Sequence, residues 1–145
     1  MTDDARLAIE QLQIADGRWE QALEASSFAP PDPEFAARVR AVADASEQEA
    51  AAFRFADSLG LGWRSRTGAR NMNLSYELRR DGNRRGDPKV WERFDGAVAT
   101  LGAALEGVAL SAIARAFAEL ADVTRELADE IERVDARPTS RRRAG

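Results

Sequence analysis

Carboxylates and guanidinium groups are the main reactive side chains of this chain, because its 145 residues include neither cysteine nor histidine. Their absence excludes disulfides, thiolate metal sites and nucleophiles activated by imidazole. Acid–base chemistry would have to come from aspartate and glutamate alone. We therefore predict that the chain is not an enzyme and holds no cofactor, and a site of carboxylates and arginines is the one catalytic alternative left open.

The segment 81–92 has the length of an EF-hand calcium loop. It begins with Asp81, has a glycine at position 6 and ends with Glu92 at position 12. However, Arg85 and Lys89 occupy positions 5 and 9, where calcium needs oxygen ligands. The sequence therefore predicts a turn between helices and no metal site.

A second cluster is basic, and we call residues 64–89 the basic segment. It has a net charge of +5, whereas residues 1–63 have −7 and residues 90–145 have −2. Guanidinium groups can pair with phosphates or with carboxylates, and aromatic side chains interleave with them. The cations could neutralise the acidic helices, bind an acidic protein partner or bind nucleic acid. The predicted interaction patch consists of Arg64, Arg66, Arg70, Arg79, Arg80, Arg84, Arg85 and Lys89.

A third cluster is acidic and recurs at steps of three and four residues near the C-terminus. Such spacing resembles the carboxylate metal sites of helical bundles, but those sites also use histidines. We expect a solvated helix face whose carboxylates pair with arginines of the same helix. The acids are Glu119, Asp122, Glu126, Asp129 and Glu130, and the arginines are Arg115, Arg125 and Arg133.

Two N-terminal helices are predicted before the basic segment. The first covers about 3–25 and carries an apolar stripe of Leu7, Leu12, Trp19 and Leu23. A proline-rich turn at 29–33 ends it. The second runs to about residue 59, where glycines stop it, and its buried face is predicted to consist of Phe35, Val39, Val42, Ala43, Ala50, Phe53 and Ala56.

Residues 61–87 are predicted to be an irregular connector. A short helical piece is expected at about 73–80, although its alternating apolar residues also fit a short strand. Asp87 and Pro88 form a start signal for a further helix, with Asp87 as the N-cap.

Residues 88–134 repeat apolar side chains at helical spacing without an internal proline. One continuous helix of that length would be roughly 70 Å long, against a radius of gyration of ~15 Å for a compact domain. We predict such a helix, with a fold-back near Gly107 as the alternative. Its excess length predicts a homo-oligomer, most simply a dimer or an irregular coiled coil. The predicted self-association residues are Trp91, Phe94, Val98, Leu101, Leu105, Ile113, Phe117, Leu120, Leu127 and Ile131.

The sequence thus predicts an all-α helical bundle of two N-terminal amphipathic helices and one long C-terminal helix, joined by a basic irregular connector. Residues 1–135 would form one domain, and 136–145 a disordered basic tail. An acidic N-terminus and the lack of long apolar runs favour the cytoplasm and no membrane partner. We expect a non-catalytic interaction module, such as an adaptor, chaperone-like or regulatory subunit. The alternative is a nucleic-acid-binding regulator that uses the basic segment and the arginines at 141–143.

Overall fold

The computed structural model describes residues 2–27, 34–61, 86–107 and 109–144, with side chains apart from 26, 27 and those after 136. The described residues form helices and their connections, without any strand. This confirms the all-α class. The helices are α1 (Asp3–Ser27), α2 (Phe35–Ser58), α3 (Pro88–Glu106) and α4 (Leu110–Ala144).

The helix ends follow local chemistry. Thr2 Oγ1 accepts a hydrogen bond of 3.1 Å from Ala5 N at the start of α1. Gly60 has a φ of 68° after α2, a left-handed conformation that favours glycine. Asp87 caps α3 as predicted, and its Oδ1 accepts from Lys89 N at 2.9 Å. The predicted proline turn at 29–33 lies outside the described residues.

The prediction of one continuous helix over 88–134 is wrong. At Gly107 the backbone is extended, with φ −90° and ψ −175°, and α4 starts anew with Ala109 O accepting from Ile113 N. Three residues separate α3 from α4, a connection short enough to make them an antiparallel hairpin. The hairpin is favoured over one long helix because α3 and α4 then bury apolar side chains against one another within a single chain.

The centre of the bundle is the antiparallel pair α2 and α4. Phe53 of α2 stacks on Phe117 of α4, with ring centroids 5.7 Å apart. Further along, Asp44 of α2 accepts from Arg125 of α4. α1 packs on α2, and α3 packs on α4. The order across the bundle is therefore α1, α2, α4, α3.

Trp19 ties α1 to both central helices. Its ring meets Phe117 edge-on at 5.5 Å. Its Nε1 donates to Ser46 Oγ at 3.0 Å, and this hydroxyl donates to Val42 O at 2.8 Å. The buried indole N–H and the buried hydroxyl are thus both satisfied. The predicted core face of α2 is buried in full.

The topology explains why a long connector lies between α2 and α3. α4 runs antiparallel to α2 and to α3, so α2 and α3 are parallel. Residue 61 therefore lies at the Phe117 end of α4, and residue 86 lies near Glu130. The predicted short helical piece at 73–80 lies outside the described residues.

At the C-terminus, the backbone of α4 remains helical to Ala144. The sequence predicts instead that order ends at about residue 135. Alanine and arginine are strong helix formers, whereas Pro138 in the same stretch removes a backbone donor. The division of the chain into a domain and a tail stays a prediction.

Candidate interaction site

The predicted basic patch falls almost entirely outside the described residues. Arg64, Arg66, Arg70, Arg79, Arg80, Arg84 and Arg85 all lie in the range 62–85. Lys89 is described, and it is exposed in the first turn of α3. The partner of the basic patch, an acidic protein or nucleic acid, therefore stays a prediction.

The predicted self-association residues are located in the core of the single chain. Leu105 is half-buried. The other nine are buried: Trp91, Phe94, Val98, Leu101, Ile113, Phe117, Leu120, Leu127 and Ile131. The chain's own helices therefore cover the apolar stripe, and the excess length that predicted self-association does not arise.

The carboxylates of α4 are mostly exposed, as expected, but their partners are not confined to α4. Asp129 accepts from Arg40 of α2 at 2.6 Å, and Glu126 accepts from Arg93 of α3. Arg125 donates to Asp44 and to Glu47 of α2 at 3.2 and 2.7 Å. Ion pairs between helices thus line the edges of the central interface. Of the predicted pairs within α4, Arg133 with Glu130 is the closest.

The outer face of α1 is the surface that the sequence did not predict. Leu7 was assigned to the core stripe, but its exposed fraction is 45%. Ile14, one heptad later, is 54% exposed. Among the described residues, Leu7 and Ile14 are the large apolar side chains that are exposed. Because they lie seven residues apart, they share one face of the helix.

Next to Ile14, α1 and α2 enclose an open groove of about 360 Å³. Alanines of both helices form its walls and leave the space. Arg18 closes one side by donating to Gln48 Oε1 at 2.9 Å. The lining residues are Gln11, Ile14, Ala15, Arg18, Gln48, Ala51 and Ala52.

Two carboxyl groups lie between α1 and α2 close to this groove. Glu49 has no exposed surface, and Asp16 is half-buried. Within the described part of the chain, Asp16 Oδ1 and both carboxyl oxygens of Glu49 have no hydrogen-bond partner. They lie close enough that a proton on Glu49 would join them by a hydrogen bond. Neither lines the groove.

Burial, as the largest cause, acts together with the hydrogen bond to Asp16 and the charges of Asp16 and Glu20 to raise the pKa of Glu49 to about 11. The pKa of Asp16 is also raised, first by burial, and the proton donated by Glu49 offsets part of that rise. Glu49 is therefore neutral at pH 7, as expected for two carboxyl groups that share one proton in a dry interface.

The sequence does contain a signal for the burial of Glu49. Val42, Ser46, Glu49 and Phe53 are spaced by four, three and four residues, so Glu49 falls in the core stripe of α2. Glu47 and Gln48 precede it, and such a polar run is typical of a solvated face. The seven-residue spacing of Leu7 and Ile14 likewise predicts that they share a helix face, although spacing alone does not specify that this face is exposed.

Among the described residues, no group of three or more acidic side chains is arranged to hold a metal ion. Within the same ranges, no helix combines the length and apolarity that a bilayer span requires.

Comparison of the chain with protein-family models, with curated proteins and with solved structures finds no match.

Proposed function

We propose that the chain is a non-catalytic protein–protein interaction module. Its binding surface is the outer face of α1 around Leu7 and Ile14, together with the adjoining groove between α1 and α2. The observation that carries this proposal is the exposure of those two side chains on a helix whose opposite face is buried.

Energetics support a protein as the occupant. Complete burial of a leucine or isoleucine side chain stabilises by about 1.5–3 kcal/mol, and both side chains still expose about half of their surface. A partner that covers these two side chains gains the part of this stabilisation that corresponds to their exposed surface. The groove adds small-residue walls into which an apolar side chain of a partner helix fits, which is the helix-in-groove mode of recognition.

Catalysis is not part of the proposal. The two carboxyl groups with raised pKa values, Asp16 and Glu49, do not line the groove. Glu49 has no exposed surface from which to exchange a proton with a substrate. We infer that this pair weakens the α1–α2 interface at neutral pH, because Glu49 must remain protonated there.

Site-specific photo-cross-linking inside cells tests the interaction surface. A photoreactive phenylalanine analogue replaces Gln11, which lines the groove. The matched control places the same analogue at Glu119, an exposed residue of α4. We expect a cross-linked species of defined mass from position 11 that is absent at position 119 and disappears with Ile14→Asp.

Equal cross-linking at both positions, or none at position 11, would contradict the proposal. Circular dichroism of the Ile14→Asp variant serves as the folding control. Ile14 is more than half exposed, so this change is expected to leave helicity unaltered.

A second candidate function, nucleic-acid binding, has support from the sequence. The basic segment carries a net charge of +5 in 26 residues, and further arginines stand at 141–143. Phosphate binding by these cations would weaken steeply with salt. Fluorescence anisotropy with duplex and single-stranded DNA measures that slope. Changing Arg84 and Arg85 to glutamate is expected to reduce it by about one for each phosphate that the variant no longer binds.

A further inference from the structure

We infer that the partner of this surface is a second copy of the chain, bound by antiparallel pairing of two α1 helices. The inference rests on the proposed function, and it names the occupant of the surface. A contact through α1 replaces the dimer contact that the sequence predicts through residues 88–134. The apolar residues of that segment are buried within one chain.

The first support is the symmetry of the apolar residues. Leu7 lies three residues before Glu10, and Ile14 lies three residues after Gln11. A two-fold axis through the midpoint of Glu10 and Gln11 therefore brings Leu7 of each copy opposite Ile14 of the other. An isologous dimer needs this kind of self-complementary surface.

The second support is charge. Asp3 lies seven residues before Glu10, and Arg18 lies seven residues after Gln11. The same axis therefore sets Arg18 of each copy against Asp3 and Asp4 of the other. A parallel pair would instead set the aspartates against aspartates and Arg18 against Arg18. Like charges repel, so the antiparallel arrangement is selected.

Local structure holds both charged groups in place. The hydrogen bond from Ala5 N to Thr2 Oγ1 fixes the first turn, which carries Asp3 and Asp4. Arg18 donates one hydrogen bond to Gln48 Oε1. A guanidinium group has five N–H donors, so Arg18 keeps this bond while it faces a carboxylate.

The third support is the position of the groove. It is lined by Ile14, Ala15 and Arg18 of α1, so it lies on the side of the two-fold axis that receives Leu7 of the second copy. Ala51 and Ala52 leave room for that side chain. Each copy thus contributes one leucine and receives one, which doubles the apolar contact.

Charge exchange with sedimentation equilibrium tests the dimer. We expect the wild-type protein to be dimeric at tens of micromolar. Arg18→Glu, and separately Asp3→Arg with Asp4→Arg, each make both contacts repulsive and are expected to raise the dissociation constant about tenfold. A mixture of the two variants restores attraction at both contacts, so heterodimers are expected. Arg6→Glu, an exposed reversal elsewhere on α1, is the matched control with no change expected.

Single cysteines report the register, because the chain has no cysteine of its own. Gln11→Cys lies beside the two-fold axis and is expected to form an intermolecular disulfide on oxidation. Leu7→Cys is not expected to, since its two copies lie about 10 Å apart along the helices. Cross-linking by Leu7→Cys instead would overturn the antiparallel arrangement.

The outcomes separate this inference from the proposed function. A wild-type mass of one chain at tens of micromolar overturns the dimer. If position 11 then still cross-links to a protein of another mass in cells, the interaction surface stands and only its occupant is wrong. A dimer that Arg18→Glu leaves as tight as the wild type also overturns the α1 contact.

Discussion

The two interfaces of α2 are built on different principles. Toward α4, α2 presents apolar side chains centred on the stacked rings of Phe53 and Phe117, and interhelical ion pairs line the edge. Toward α1, it presents Glu49, a fully buried carboxyl group whose neighbour is Asp16, another acid. The first interface places its charges where water screens them. The second encloses charge-bearing groups and leaves an apolar face on the outside of α1.

This difference indicates a division of labour within the bundle. A dry interface edged by exposed ion pairs is typical of a stable scaffold. Buried acids weaken the attachment of α1, because one of them must remain protonated at neutral pH. Proteins commonly depart from favourable packing at functional elements. We therefore regard α2 and α4 as the scaffold, and α1 as the element that carries the interaction surface.

The largest expected effect is at the scaffold. Phe117→Ala removes a fully buried ring that contacts both Phe53 and Trp19. We expect the free energy of unfolding to fall by about 4 kcal/mol in urea titrations. Phe55→Ala, at a partly buried residue of α2, is the control and should cost clearly less. Equal losses would mean that the α2–α4 centre is not the main source of stability.

The next effect comes from the buried acid. Glu49 keeps its proton in the folded chain up to about pH 11, against an ordinary pKa of 4.5 when unfolded. The folded state therefore binds the extra proton between these values, and the stability from this group is complete below pH 4.5 and declines as pH rises. From pH 6 to 9, the free energy of unfolding is expected to fall by up to about 1.4 kcal/mol per pH unit.

Glu49→Gln removes this titration. A neutral amide replaces a neutral acid of the same shape, so we expect a gain of about 3 kcal/mol at pH 7 and a flatter pH profile. Glu47→Gln, at a nearby residue of α2 that pairs with Arg125 at the surface, should leave the slope unchanged. A loss of stability in Glu49→Gln at pH 7, with the wild-type slope retained, would show that Glu49 is ionised in the folded chain.

A smaller effect is expected at the edge of the scaffold. Arg125 is about one-third exposed and bridges Asp44 and Glu47 of α2. Arg125→Ala is expected to cost about 1 kcal/mol at low salt and less in 1 M NaCl, where the Debye length is about 3 Å. Arg115→Ala, at an exposed residue of the same helix, is the control with little effect expected. A cost that salt does not alter would point to reduced packing of the arginine stem.

Sequence patterns predicted the parts of the fold that local chemistry decides. The C-terminal ends of α1 and α2 are predicted within about two residues, because glycine and proline signals act over short range. The α3–α4 hairpin was missed because a three-residue connection leaves the apolar spacing nearly in phase across Gly107. Successive steps of four residues from Leu105 to Phe117 depart from a strict heptad near this place, but such spacing also fits the irregular coiled coil that the sequence predicts.

The candidate site was predicted less well, for a physical reason. Exposure depends on which neighbour a helix packs against, and periodicity alone does not specify it. Leu7 was assigned to the core although it belongs to the opposite face of α1 from Leu12 and Trp19. Glu49 is not predicted as a core residue, because carboxylates are rarely buried. In both cases the tertiary contact between α1 and α2 decides the outcome.

The smallest expected effect tests whether α1 opens independently of the scaffold. Gly17 lies within α1, and an added Cβ would meet nothing within 4 Å. Gly17→Ala should therefore stabilise α1 by about 0.5–1 kcal/mol through helix propensity alone. If α1 opens locally, hydrogen exchange of its amides slows severalfold while the amides of α2 and α4 are unchanged. Gly96→Ala, an equally open glycine of α3, is the control and should leave exchange in α1 as it was. Uniform slowing across the helices in Gly17→Ala would instead mean that α1 detaches only when the whole bundle unfolds. The two interfaces of α2 would then differ in composition but not in stability.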